Sequence, residues 1–194
     1  PLTIGKMSLF GKIQASFFQS VTTRTAGFAS VPQENLTNAS AAVSIILMLI
    51  GGSPVGTAGG MKTVTIAVLI CSAFATIRNK NTATLFGRRV SEASVKKAVA
   101  VAVTFLTICS ASTILLMATN NASALDAVYE TVSATATVGL SRNLTATLNT
   151  VGKLIIIVTM YFGRVGPISL AVALGSKSVS QNVISEPTED ISIG

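Results

Sequence analysis

Residues 95–118 run apolar or small for the full thickness of a bilayer, with Lys96 and Lys97 near the start as the only charges. A helix needs about 20 such residues to cross the hydrocarbon core. A second run, 154–174, repeats the pattern with a single charge, Arg164, in its middle. Composition points the same way. Of the 194 residues, 49% are apolar and 11% charged, against about 25% charged in an ordinary soluble domain. The expected class is all-α and integral to a membrane, with lipid as its surroundings.

The net charge of +7 raises nucleic acid as a partner, and its distribution argues against one. Arg78, Lys80, Arg88, Arg89, Lys96 and Lys97 crowd into one linker between hydrophobic stretches, as the positive-inside rule expects of a cytoplasmic loop. No aromatic residues interleave with them in a stacking pattern and Trp is absent, which argues against a stacking surface for bases. Cys71 and Cys109 sit inside apolar stretches and read as small hydrophobes. Histidine is absent and no metal-ligand spacing occurs. The chain opens on Pro1 rather than Met and shows no signal peptide, so its true N-terminus is expected upstream.

Two half-length helices, 11–22 and 125–134, each lead into a Thr/Gly loop. The loops are Thr23-Arg24-Thr25-Ala26-Gly27-Phe28 and Thr135-Ala136-Thr137-Val138-Gly139-Leu140-Ser141. A shift of 112 residues lays Thr23, Thr25 and Gly27 on Thr135, Thr137 and Gly139, which marks an internal repeat. Its unit is span, half-helix, Thr/Gly loop, span, and the first copy lacks its leading span. The span after the first loop is itself interrupted. Apolar segments 39–50 and 63–77 flank Gly51, Gly52, Pro54, Gly56, Gly59 and Gly60, ahead of Lys62. Glycine and proline are poor helix formers, so this span should break into two halves, and broken helices at mid-membrane line transport paths. A phosphate loop is disfavoured, because Met61 separates Gly60 from Lys62 and no strand precedes them. The same shift lays Gly51 on Gly163 and Gly52 on Arg164, so both spans are expected to be irregular at similar depth.

Irregular backbone inside a bilayer is costly unless it lines water or ions. Carbonyls of Thr23, Arg24, Thr25, Ala26, Gly27, Thr135, Ala136, Thr137, Val138 and Gly139 would meet that condition by replacing the hydration shell of a cation. Gly27 and Gly139 suit the unusual backbone angles such a loop needs, and Thr23 and Thr135 offer hydroxyl oxygens. Neither loop carries a carboxylate, which favours a weakly held monovalent cation over a hard divalent one. Asp126 and Glu130, one helical turn apart beside the second loop, read as favourable charge in the first turn of a helix. Arg164 at mid-span costs about 2.5–3.5 kcal/mol on insertion scales and marks a functional position. A cation there would oppose cation passage until displaced or screened.

Together, the segments Gln19–Phe28, Gly51–Lys62, Ser133–Ser141 and Tyr161–Pro167 resemble the membrane subunit of Ktr/Trk-type potassium transporters. The ending Glu189-Asp190-Ile191-Ser192-Ile193-Gly194 is similar to that of the Ktr branch. The resemblance implies four membrane–pore–membrane repeats around one pore, with K+ bound by filter carbonyls. Gly27 would be the filter glycine of the third repeat and Gly139 that of the fourth. Gly51, Gly52, Gly56, Gly59, Gly60 and Lys62 would belong to an intramembrane gate, and Arg164 would be the pore arginine. It further implies a homodimer in the cell membrane, a cytosolic nucleotide-binding regulatory ring, and Na+ as an activator. Repeats one and two would then be missing partners upstream. The chain divides accordingly into a third repeat (1–82), a cytoplasmic linker (83–94), a fourth repeat (95–178) and a tail (179–194).

The expected function is potassium uptake by an ion-translocating subunit. The alternative is a secondary cation transporter with a broken-helix site, which calls for an inverted repeat and coupling residues at mid-depth. Here the repeat is parallel in order, and Lys62 and Arg164 are the only ionisable candidates at that depth. An enzyme is disfavoured by the lack of histidine and of a carboxylate pair within a span. A non-conducting scaffold is disfavoured by the repeated loop, and a flux assay decides it.

Overall fold

Five helices share one starting device. Ser8, Thr37, Ser91, Ser123 and Asn149 stand in extended backbone, and each side chain accepts the N–H three residues on, which satisfies one of the donors a helix start leaves open. The computed structural model describes residues 3–53, 59–80, 82–85 and 87–166. In chain order its helices are α1 (Leu9–Thr22), α2 (Asn38–Leu49), α3 (Thr63–Ile77), α4 (Glu92–Thr119), α5 (Ala124–Thr135), α6 (Leu144–Thr147) and α7 (Thr150–Val165). A 3-10 turn at Gln33–Asn35 precedes α2, and strands β1 (Thr84–Leu85) and β2 (Arg88–Arg89) form an antiparallel pair between α3 and α4.

The lengths match the roles read from the sequence. α4 has 28 residues and is long and apolar enough to cross a membrane; at 1.5 Å per residue it is about 42 Å long. α1 and α5, with 14 and 12 residues, reach about half that distance. The interrupted span is confirmed: α2 ends at Leu49 and α3 begins at Thr63. The chain between them is stapled at its base. Ile50 and Met61 form a parallel bridge, Gly51 N–H donates to the Met61 carbonyl (2.8 Å), and Thr63 N–H donates to the Gly52 carbonyl (3.3 Å).

Three expectations are refined over the described residues. The basic linker is not a plain loop: it contains the β1–β2 hairpin, turned at Gly87 with φ 75°, and Lys96 and Lys97 belong to α4. The last apolar run covers 154–174. The α7 helix ends at Val165, capped by Gly166 with φ 90°, and residues 167–175 lie outside the described residues. Under the 112-residue shift the helices of the two spans end about one turn apart, α2 at Leu49 and α7 at Val165; Gly163 and Arg164 themselves stay helical, since a lone glycine inside a helix costs only about 1 kcal/mol.

α4 packs against α5 and α7, α5 also against α7 and α2, and α3 against α4, so the two copies interlock. Polar side chains share the interior with an apolar core that includes Met48, Phe105, Leu116 and Tyr129, and large apolar side chains also face outward. Thr22, Thr23, Gln33, Ser44, Ser112, Glu130, Thr131, Ser133, Thr135 and Thr159 are buried, while Leu9, Phe10 and Phe17 of α1, Ile114 and Leu115 of α4, and Leu154 and Ile157 of α7 are exposed. Lipid removes most of the hydrophobic drive between helices, so close packing and interhelical hydroxyl bonds hold them together. Ser112 on α4 meets Thr159 on α7, and Thr113 meets Thr131 on α5, each at 2.7 Å.

Candidate functional site

The two Thr/Gly loops leave their half-helices in the same unusual backbone. Thr25 and Gly27 have φ of 67° and 76°, and Thr137 and Gly139 have 56° and 88°. These are the positions that the 112-residue shift pairs. Positive φ is open to glycine, but for a β-branched residue it is an outlier, at a cost of roughly 1–3 kcal/mol. Two threonines held this way at one offset are not ordinary turns. Alternate residues in the left-handed region also turn successive peptide planes to face one side, as a carbonyl-lined ion path requires.

The loops lie side by side. A Cβ at Gly27 would collide with the carbonyl oxygen of Val138, whereas one at Gly139 would meet nothing closer than the Gly27 Cα, at 4.0 Å. Gly27 is therefore required by space and by backbone angle, Gly139 by angle alone. Thr23 and Thr135 are fully buried and turn their hydroxyls back on their helices. Thr23 Oγ1 donates to the Ser20 carbonyl (2.8 Å) and Thr135 Oγ1 to the Thr131 carbonyl (2.7 Å). Their oxygens do not reach the opening that Thr137 and Gly139 line. Arg24 and Ala26 are exposed, and Ala136 and Val138 are buried.

The glycine-rich stretch reaches this site. Gly59 N–H donates to Thr137 Oγ1 at 3.1 Å across 78 residues of sequence. A Cβ at Gly59 would lie 2.7 Å from Thr137 Cγ2 and 2.8 Å from the Ala136 carbonyl oxygen. Gly60, with φ 73°, passes beside Ala136. Lys62 stands at the N-cap of α3, and Gly51 and Gly52 hold the staple described above. Gly56 lies outside the described residues. On the other side, a Cβ at Gly163 would collide with the Thr135 carbonyl, so α7 runs hard against the second loop. Arg164 follows and lines a cavity of about 550 Å³ with Glu130, Thr137, Gly139, Ser141 and Tyr161.

Several supporting residues escaped the sequence reading. Glu130 is not in the first turn of α5; only Asp126 is. The Glu130 carboxylate is 5% exposed and accepts hydroxyl donors from Ser141 (2.7 Å) and Thr145, which ties the chain after Gly139 to the half-helix before it. Arg142 Nε donates to Asp126 Oδ1 (2.7 Å) and its Nη1 to the Leu36 carbonyl (3.2 Å). Gln33 joins the two half-helices: its Oε1 accepts from Gln19 Nε2 (2.7 Å) and from the Tyr129 hydroxyl (3.0 Å). No local pattern announces a contact 96 residues apart. The spacing of Glu130 from Ser141 carries none either.

The family model for TrkH, described as a cation transport protein, matches residues 2–185. The chain is 41% identical over 174 residues to Ktr system potassium uptake protein B of Vibrio alginolyticus, covering 90% of this chain and 38% of the relative. It is 38% identical over 183 residues to the protein of the same name from Bacillus subtilis, covering 94% and 41%. It is 35% identical over 177 residues to the potassium/sodium uptake protein NtpJ of Enterococcus hirae, covering 89% and 39%. The chain thus spans about two fifths of the length of these curated relatives. The crystal structure of the potassium transporter TrkH from Vibrio parahaemolyticus shares the fold, with a TM-score of 0.77 at 21% identity over 88% of this chain and 39% of that one. Paired loops at one offset, a broken span and these matches lead to one conclusion: the chain belongs to the TrkH family of cation transport proteins.

Proposed function

We propose that this chain forms two of the pore loops of a potassium uptake protein in the cell membrane. The observation that carries the reading is the repeated backbone, with Thr25 and Gly27 in the same left-handed angles as Thr137 and Gly139 and the loops in mutual contact. In this reading carbonyls of 23–27 and 135–139 replace the hydration shell of K+. Preformed loops do so without paying for reorganisation at each passage. The names of the Ktr relatives support potassium as the cargo.

The stretch 51–62 acts as the gate, because it is stapled at its base and rests on the second loop. Arg164 stands beside that loop, where guanidinium offers donors to gate carbonyls and positive charge to an approaching cation. The two copies are the third and fourth repeats of four, with residues 83–94 as a cytoplasmic linker. The Ktr resemblance adds a homodimer, a cytosolic nucleotide-binding regulatory ring and Na+ as activator. Rubidium or potassium uptake by the full-length protein, with sodium in competition, tests the reading. Selective saturable uptake, with selectivity lost in Gly139→Ser, is expected. Uptake of Gly139→Ser with unchanged affinity and selectivity would overturn the filter.

A further inference from the structure

We infer that the gate and the ion compete for one atom, the hydroxyl oxygen of Thr137, so that the docked gate lowers the affinity of the filter for K+ and K+ in turn lifts the gate. This rests on the filter and gate reading above. Thr137 Oγ1 accepts the N–H of Gly59 at 3.1 Å. The donor presents the positive end of its dipole to that oxygen, and Thr137 lines one cavity with Gly139 and Arg164. A cation on that oxygen would sit against the same proton, and like charges at such range repel strongly where water is scarce. The contact is close enough to be exclusive, since Gly59 has no room even for a methyl group against Thr137 Cγ2 and the Ala136 carbonyl.

The first loop supplies the contrast. Thr25 holds the same backbone region, φ 67° against 56°, yet among the described residues its hydroxyl has no hydrogen bond to 51–53 or 59–62. Among the described residues, the contact belongs to the second loop. Linkage is reciprocal: if the docked gate weakens K+ binding by some factor, K+ weakens docking by the same factor. One neutral hydrogen bond sets the scale at about fivefold.

The experiment uses the full-length protein in its membrane, with and without deletion of residues 56–60, and reads KM and maximal rate for K+ uptake. In the wild type, deletion should raise the maximal rate and lower KM about fivefold. Thr137→Val should abolish the KM change, Thr137→Ser should keep it, and Thr25→Val should keep it while weakening affinity in both forms. A persistent KM change in Thr137→Val, with selective uptake intact, overturns the coupling and leaves the pore reading standing. Absence of selective uptake in the wild type overturns both. Should Thr137→Val fail to insert, labelling of Ser53→Cys decides. Its rate should rise as K+ replaces choline at constant ionic strength, and a rate indifferent to K+ overturns the proposal.

Discussion

Gly27 and Gly139 occupy matching positions and differ in what a side chain would meet. At Gly139 the obstacle is the backbone angle of 88° alone, roughly 1–3 kcal/mol for a residue with a Cβ. About 1.4 kcal/mol is tenfold in an equilibrium constant, so Gly139→Ser should weaken apparent K+ affinity tenfold or more while the protein still inserts. At Gly27 the Val138 carbonyl adds a collision, and Gly27→Ala should lose more than Gly139→Ala in the same uptake assay. Equal losses would mean that the loops do not touch in the working protein. Glu130 makes a different prediction. It is the acceptor for Ser141 and Thr145, and losing a buried acceptor costs about 1–3 kcal/mol. Glu130→Ala should lower thermal stability in detergent and loosen selectivity, with partial recovery in Glu130→Gln, which keeps a carbonyl acceptor.

At the scale of the element, the broken span leaves α2 at Leu49, meets the second loop at Gly59 and re-enters helix at Thr63. Deleting Gly56–Gly60 in the full-length protein should raise potassium flux and weaken control by the regulatory partner, and unchanged flux at normal expression would refute the gate. Gly51 belongs to this device. A Cβ there would collide with the Gly59 carbonyl and lie 3.0 Å from that of Met61, so Gly51→Ser should alter gating and spare selectivity. Arg164→Ala should increase leak; loss of expression without leak would assign the arginine a structural role.

For the whole molecule, α4 puts the β1–β2 hairpin and the start of α5 at opposite ends of a helix about 42 Å long. With the basic residues at the hairpin end, that end is predicted to face the cytoplasm and the half-helices to enter from outside. Thr84, exposed on β1, is the site to probe: Thr84→Cys should resist a membrane-impermeant thiol reagent applied to intact cells, and labelling from outside would invert the topology. The copies share an apolar cluster, with Met48 and Met61 of the first against Phe105 and Tyr129 of the second, and polar contacts add direction, through Gln33 with Gln19 and Tyr129 and through Arg142 with Leu36. In a bilayer, directed hydrogen bonds set the angle between helices that lipid would otherwise solvate equally well.

The membrane class, the half-helices, the interrupted span and the pairing of the two loops were all legible in the sequence, because each is a local property. Run length determines what can span a bilayer. Glycine and proline determine where a helix stops. A repeat keeps its residues in register however the chain is packed. What touches what was not legible. That the stretch after Ile50 rests on Thr137, that Gly163 abuts Thr135, that Glu130 is an anchor and not a first-turn charge, and that Gln33 bridges the half-helices are facts of distance between residues far apart in the chain. A hydroxyl or an amide carries no mark of its partner until packing leaves it one within 3 Å, so those assignments belonged to the tertiary structure alone.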